Sequence, residues 1–268
     1  MTKGERFRAL HERDRAFVIP NPFDIGTAKL MKVLGFEAIA TTSAGFAYTI
    51  GKPDGAVDLD AMLAHCQQLV EATDLPVSAD LENGYADEPE RVAETVRRAA
   101  AAGLAGCSIE DLPLGRGAAQ YPIEFAAQRV AAAAAAARAL PSAFTLTARA
   151  ENFIAGNPDL GDAVARLNAY AEAGADVIYA PGITTRHQIA AVVAVGRPVN
   201  VLAGLAGMDL RVDDLSALGV KRISVGSALS RSALDAVVRA AREMRDQGSF
   251  TFASEALRYA EVNEIFAG

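Results

Sequence analysis

Three features of the sequence predict a single (β/α)8 barrel of the TIM type. Short apolar runs alternate with helical stretches eight times along the chain, the pattern of parallel strands joined by helical crossovers. No linker or shift in composition interrupts the alternation. The length of 268 residues, 51% of them hydrophobic, suits one large core of barrel size. A doubly wound open sheet is the alternative, but its glycine-rich dinucleotide fingerprint is missing after the first strand. The expected domain spans residues 1–268, including a helical tail at 247–268.

Residues 1–16 read as a polar helix with Phe7 and Leu10 as its apolar contacts. Phe17-Val18-Ile19 is a short strand closed by Pro20-Asn21-Pro22, and Asp24 can cap a helix that Gly35 ends. Ala38 to Ser43 reads as the second strand, followed by a loop and a helix from Asp58 to about Ala72. Val77 to Leu81 is the third strand, and Pro89 suits the start of the helix after it. Cys107 to Glu110 is the fourth strand, and a loop at 113–121 leads to a helix from Ile123 to about Ala139. The later strands are Phe144 to Arg149, Val177 to Tyr179, Val199 to Leu202 and Arg222 to Val225, with helices between and after them.

Composition narrows the function classes. A net charge of −7 without a basic cluster argues against a nucleic-acid face. The charged N-terminus lacks the apolar centre of a signal peptide, and no stretch of 18 apolar residues is present. The alanine run at 131–137, flanked by Arg129 and Arg138, is strong helix former and no membrane span. Cys66 and Cys107 have no Cys/His neighbours and read as buried thiols of a reducing compartment. A soluble cytoplasmic protein is expected.

Candidate chemistry collects at the carboxyl ends of the strands, where this fold keeps its active sites. Asp80 and Glu82 end strand three; as positions i and i+2 of a strand they would share one face. Glu110 and Asp111 end strand four. So many carboxylates at one mouth need a cation, the simplest being Mg2+, a hard ion that takes oxygen ligands; Mn2+ is the natural substitute. Arg149 and Glu151 follow strand five. A guanidinium there can pair with Glu110 or Glu151, or clamp a substrate carboxylate or phosphonate, or do both. Thr42 and Ser43 follow strand two, and Tyr48 and Tyr121 lie in expected loops that could close over the site. Asn200 opens strand seven without a clear role, and Gly226-Ser227 could present N–H groups to an anion, although packing is the preferred reading. His11, His65 and His187 fall in helices away from strand ends and read as packing or surface residues.

These stretches together resemble the isocitrate lyase/phosphoenolpyruvate mutase superfamily over nearly the whole chain. The resemblance rests on Pro20-Asn21-Pro22-Phe23-Asp24, Thr41-Thr42-Ser43-Ala44-Gly45 through Gly51-Lys52-Pro53-Asp54, Asp80-Leu81-Glu82-Asn83-Gly84-Tyr85, and Ile109-Glu110-Asp111 with Ala148-Arg149-Ala150-Glu151-Asn152. It implies a barrel whose C-terminal helix is swapped between subunits, in homodimers or homotetramers. It also implies Mg2+ and a small 2-oxo or 2-hydroxy acid whose C–C or C–P bond is made or broken through an enolate. By the same resemblance, Asp80 is the innermost metal acid, Glu82 stands where a second Asp is usual, and Glu110 completes the metal shell. Asp54 reaches the metal through water, Thr42, Ser43 and Ala44 receive the substrate carboxylate, and Arg149 holds substrate oxygens. Asn200 is kept as a further substrate-binding candidate, and Asp54 and Tyr48 join Arg149 as catalytic candidates.

The sequence also departs from that pattern. Isocitrate and methylisocitrate lyases carry a Cys-Gly-His loop after strand four, whose cysteine protonates the leaving enolate. Here Leu112 to Tyr121 is shorter and has neither Cys nor His, and Tyr179-Ala180-Pro181-Gly182 lacks the glutamate those lyases carry after strand six. A Mg2+-dependent lyase acting on a 2-oxo- or 2-hydroxy-dicarboxylate, by oxaloacetate-type decarboxylation or C–C cleavage, is therefore expected. C–P chemistry on phosphonopyruvate is the alternative, with a non-catalytic 2-oxo-acid-binding protein on the same scaffold as a third reading.

Overall fold

The computed structural model describes residues 1–115 and 117–267; Arg116, in the loop after strand four, and Gly268, at the end of the expected tail, lie outside the described residues. Eight parallel strands form the barrel: β1 (Phe17–Ile19), β2 (Ile39–Ala40), β3 (Val77–Asp80), β4 (Gly106–Glu110), β5 (Thr145–Arg149), β6 (Val177–Tyr179), β7 (Val199–Leu202) and β8 (Arg222–Ser224). Their order is β1-β8-β7-β6-β5-β4-β3-β2. The seam between β1 and β2 is bridged by Ala40 N–H donating to the Pro20 carbonyl at 3.0 Å and Asn21 Nδ2 donating to the Thr41 carbonyl at 2.8 Å. The predicted (β/α)8 barrel is thus the observed fold.

The strands are buried on both sides, as parallel strands under crossover helices must be. The helices are α1 (Lys3–Glu12), α2 (Ile25–Val33), α3 (Ser43–Thr49), α4 (Leu59–Ala72), α5 (Pro89–Ala101), α6 (Ile123–Arg138), α7 (Leu160–Glu172), α8 (Arg186–Val193), α9 (Val212–Ala217), α10 (Ala228–Gln247) and α11 (Tyr259–Ala267). Asp24, Asp58 and Asp159 cap α2, α4 and α7 through their side chains, two of them as the sequence suggested. Helix α1 plugs the amino-terminal end of the barrel. Its Phe7 and Leu10 join Phe17, Ile19, Ala38 and Ala105 in a separate apolar cluster. Gly4 makes this approach possible, since a Cβ there would stand 1.8 Å from the Ala143 carbonyl oxygen.

One element departs from the sequence reading. Strand β2 stops at Ala40, and Ser43–Thr49 is helix, not a continuation of strand and loop. The cause is local: Thr42 Oγ1 accepts from Gly45 N–H at 3.1 Å, an N-cap that turns the chain into α3. Tyr48 accordingly stands in the last turn of a helix.

Candidate active site

A cavity of about 530 Å³ opens at the carboxyl end of the barrel, where the loop after β4 also lines it through Leu112, Pro113 and Leu114. Five carboxylates face it (Asp54, Asp80, Glu82, Glu110 and Glu151) against two guanidiniums, Arg149 and Arg222. Thr42, Ser43, Ala44 and Asn200 line it too; Tyr48 does not.

Arg149 organises the mouth. Its Nη1 meets Asp80 Oδ1 at 2.7 Å, Nη2 meets Glu110 Oε2 at 3.0 Å, and Nε meets Glu151 Oε1 at 2.8 Å. Cross-strand register explains the arrangement, because Arg149 at the end of β5 lies beside Glu110 at the end of β4. Burial opposes the charge on Arg149, but Glu110, Glu151 and Asp80 outweigh it and hold the guanidinium above its usual range. The pairing alternative raised by the sequence is therefore realised. Three of the five guanidinium N–H groups serve these acids, which leaves two for an incoming oxygen.

Asp80 is held from the other side by Ser43, whose Oγ donates at 2.8 Å and whose N–H donates at 3.2 Å to Oδ2. Its backbone N–H donates to Thr41 Oγ1 at 2.8 Å. Glu82 reaches the same cavity by another route than strand alternation. Strand β3 ends at Asp80, and Glu82 has φ +49°, in the left-handed region that a non-glycine residue seldom adopts. Its carbonyl accepts from Glu110 N–H at 2.9 Å, which ties this turn to β4. Strain at such a position commonly marks function.

Burial and mutual repulsion disturb these acids even with Arg149 among them. Burial, then Asp80 and Asp54, push the Glu82 carboxyl up to about 8. Burial also raises Glu110 against the pull of Arg149, with Glu151, Glu82 and Asp80 adding to the rise. Asp54, on the exposed rim, is raised by partial desolvation and then by Asp80. A hard divalent cation fits this donor set: Asp80, Glu82 and Glu110 could hold it, with Asp54 reaching it through water. Among the described residues no group of three or more His, Cys, Asp or Glu side chains is already placed as a metal site, so a cation here would need further ligands from water and substrate oxygens.

Several contributors were not identified from the sequence. Arg129, read there only as a polar flank of the alanine run, is buried under the site and stacks over Tyr121 with its Cζ 4.2 Å from the ring centre. It donates to the carbonyls of Asp87 at 2.9 Å, Glu110 at 3.0 Å and Ala86 at 2.8 Å, and also to that of Asn83. Asp111, which the sequence set beside Glu110 at the mouth, does not line the cavity but forms a hub behind it, accepting from Tyr170 Oη at 2.6 Å, Arg166 Nη1 at 3.1 Å and Glu151 N–H at 2.9 Å. Tyr121, expected in a loop that closes over the site, is buried and donates to Asp87. Asn21 Oδ1 accepts from Val225 and Gly226 N–H at 2.9 and 3.0 Å, which gives Gly226 the packing role preferred above. Cys66 and Cys107 are free and buried, and burial pushes the Cys66 thiol up to about 12. His11 and His65 are buried packing residues and His187 is exposed. No helix is long and apolar enough to cross a membrane among the described residues.

The family model for phosphoenolpyruvate phosphomutase matches residues 7–245. A solved structure from Burkholderia cenocepacia J2315, provisionally described as a lyase/mutase, is 57% identical with a TM-score of 0.96, covering 99% of this chain and 96% of that one. The 2-methylisocitrate lyase of Bacillus subtilis strain 168 is 29% identical over 91% of this chain and 82% of its own. A phosphonopyruvate hydrolase solved with oxalate and Mg2+ is 26% identical with a TM-score of 0.87, covering 100% of this chain and 95% of that one. The chain therefore belongs to the phosphoenolpyruvate phosphomutase family, as an enzyme of the isocitrate lyase/phosphoenolpyruvate mutase superfamily.

Proposed function

We propose that this chain is a Mg2+-dependent lyase that cleaves a small 2-oxo- or 2-hydroxy-dicarboxylate through an enolate, with oxaloacetate-type decarboxylation as the best fit. The observation that carries this reading is the cluster of Asp80, Glu82 and Glu110 around Arg149 at the carboxyl ends of three adjacent strands. Bound there, Mg2+ would supply Lewis-acid polarisation of a substrate oxygen. Arg149 offers its remaining N–H groups to substrate oxygens on which charge develops. Ser43 fixes Asp80 in place, and Thr42 and Ala44 form the adjacent wall for a carboxylate. Leu112, Pro113 and Leu114 give the mouth an apolar side that limits water.

The proton source favours decarboxylation. An acid that protonates an enolate must stand within hydrogen-bond reach of it. Both thiols are buried and raised well above neutrality, and neither lines the cavity. Loss of CO2 leaves an enolate that water can protonate. The two free thiols also fit a reducing cytoplasm.

Turnover of oxaloacetate, phosphonopyruvate, methylisocitrate and dimethylmalate with Mg2+ tests the proposal. Oxaloacetate should be fastest, and Cys66→Ala and Cys107→Ala should keep the rate. Asp80→Asn should lose Mg2+ affinity in calorimetric titration, and turnover with it, because the innermost acid also sets the local charge. Wild-type Mg2+ affinity in Asp80→Asn would remove the metal assignment. Preference for methylisocitrate, together with a folded cysteine variant lacking turnover, would overturn the reaction.

A further inference from the structure

Arg149 is paired with three acids, whereas the second guanidinium of the cavity is paired with none among the described residues. Arg222 opens β8, is 5% exposed, and lines the same cavity from below. Its Nε donates to Asn200 Oδ1 at 3.0 Å and its Nη2 to Thr147 Oγ1 at 3.0 Å. Its Nη1 is buried with no hydrogen-bond partner, and no carboxylate pairs with Arg222 among the described residues. A buried charge with an idle donor is costly unless something anionic completes it.

Register connects this residue to the mouth. Glu110 pairs with Arg149, Arg149 with Tyr179, Tyr179 with Asn200, and Asn200 with Arg222. One continuous row of inward-facing polar residues therefore descends from the metal shell at the end of β4 to the first residue of β8. Asn200, kept above as a substrate-binding candidate, has both ends of its amide engaged, with Nδ2 donating to Ser224 Oγ at 3.0 Å. Its role in this row is to orient Arg222.

We propose that Arg222 is the floor of a second anion subsite, which receives the carboxylate of the substrate farther from the chelating group. The proposal rests on the functional reading above and deepens it: the enzyme selects a dianion that spans mouth and floor. Asn200 and Thr147 aim the guanidinium, and Nη1 supplies the free donor. The rival is a purely structural role, with Nη1 turned towards His11, whose ring lies close enough to feel the charge of Arg222 and whose Nε2 also lacks a partner.

Malate and lactate separate these cases, because both offer a 2-hydroxy-carboxylate and only malate adds a second carboxylate. Calorimetric titration of each into the full-length protein with Mg2+ should show malate binding about 10- to 100-fold tighter, the range of a charge-assisted hydrogen bond to a desolvated carboxylate. Arg222→Met should bring malate down to lactate while leaving lactate binding and the melting temperature near wild type; Arg222→Lys should retain part of the preference. Equal affinities in the wild-type protein would overturn the subsite while leaving the lyase reading in place. An unchanged preference in a folded variant would do the same, as would a melting temperature that collapses in Arg222→Met with the preference intact in Arg222→Lys. Absence of Mg2+-dependent binding of both acids would overturn the lyase reading and the subsite together.

Discussion

At the scale of single residues, burial decides what each charge does. His11 is the clearest case: its Nδ1 donates to the Phe7 carbonyl at 2.9 Å, and its ring packs edge-on between Phe7 and Phe17. Burial, then the charge of Arg222, pull it down to about 3. Between that value and its ordinary 6.5, the unfolded chain carries a proton that the folded chain refuses. Its stabilising effect is therefore complete above pH 6.5 and is lost as pH falls through the window, at about 1.4 kcal/mol per pH unit. Chemical denaturation of His11→Phe from pH 6 to 4.5 should show a slope flatter by about that amount; an unchanged slope would refute the assignment. The sequence revealed the acids because strand ends are legible from apolar runs that stop at charges. It did not reveal Arg129 or Arg222. A guanidinium buried by backbone carbonyls, or by one amide and one hydroxyl, leaves no periodic trace and reads as a solvent-facing charge.

At the scale of elements, the site is built from loops that need outside support. The turn after β3 carries Glu82 at φ +49°, and the end of β4 carries Glu110; Arg129 on α6 ties both through their carbonyls. Arg129→Met should cost on the order of 3 kcal/mol in urea denaturation, because it strands several buried carbonyls at once. It should also weaken Mg2+ binding without removing any proposed ligand. A variant with wild-type stability would show that these bonds matter little. All strands but β2, which was read three residues too long, were legible within about one residue, since apolar runs bounded by turn residues mark them well. Helix α3 was not, because Ala38 to Ser43 reads as one strand that runs on into a loop. Its start signal, Thr42 as N-cap, lies inside that run. Asp80 and Glu82 were brought to one cavity for an incorrect geometric reason: β3 stops at Asp80, before alternation can reach Glu82, and a left-handed turn does the work instead.

At the scale of the whole molecule, the C-terminal region departs from the barrel's economy. Leu234, Val237, Val238 and Met244 on α10 are exposed, as are Phe250, Phe252, Leu257 and Tyr259 beyond it, while α11 lies against α2. So much apolar surface marks an interaction face. The expected occupant is a second copy of this chain, in a homodimer or homotetramer with the C-terminal helix exchanged. Light scattering at micromolar concentration should return a multiple of the monomer mass, and a monomer would contradict it. At the opposite pole, α1 closes the barrel beneath Arg222, so the reaction chamber is a blind well with its mouth at the carboxyl ends of the strands. Traffic in a well is last in, first out. In the proposed cleavage the upper of two fragments departs before the lower is free to move, and the deeper fragment is expected to compete with the next substrate for the chamber.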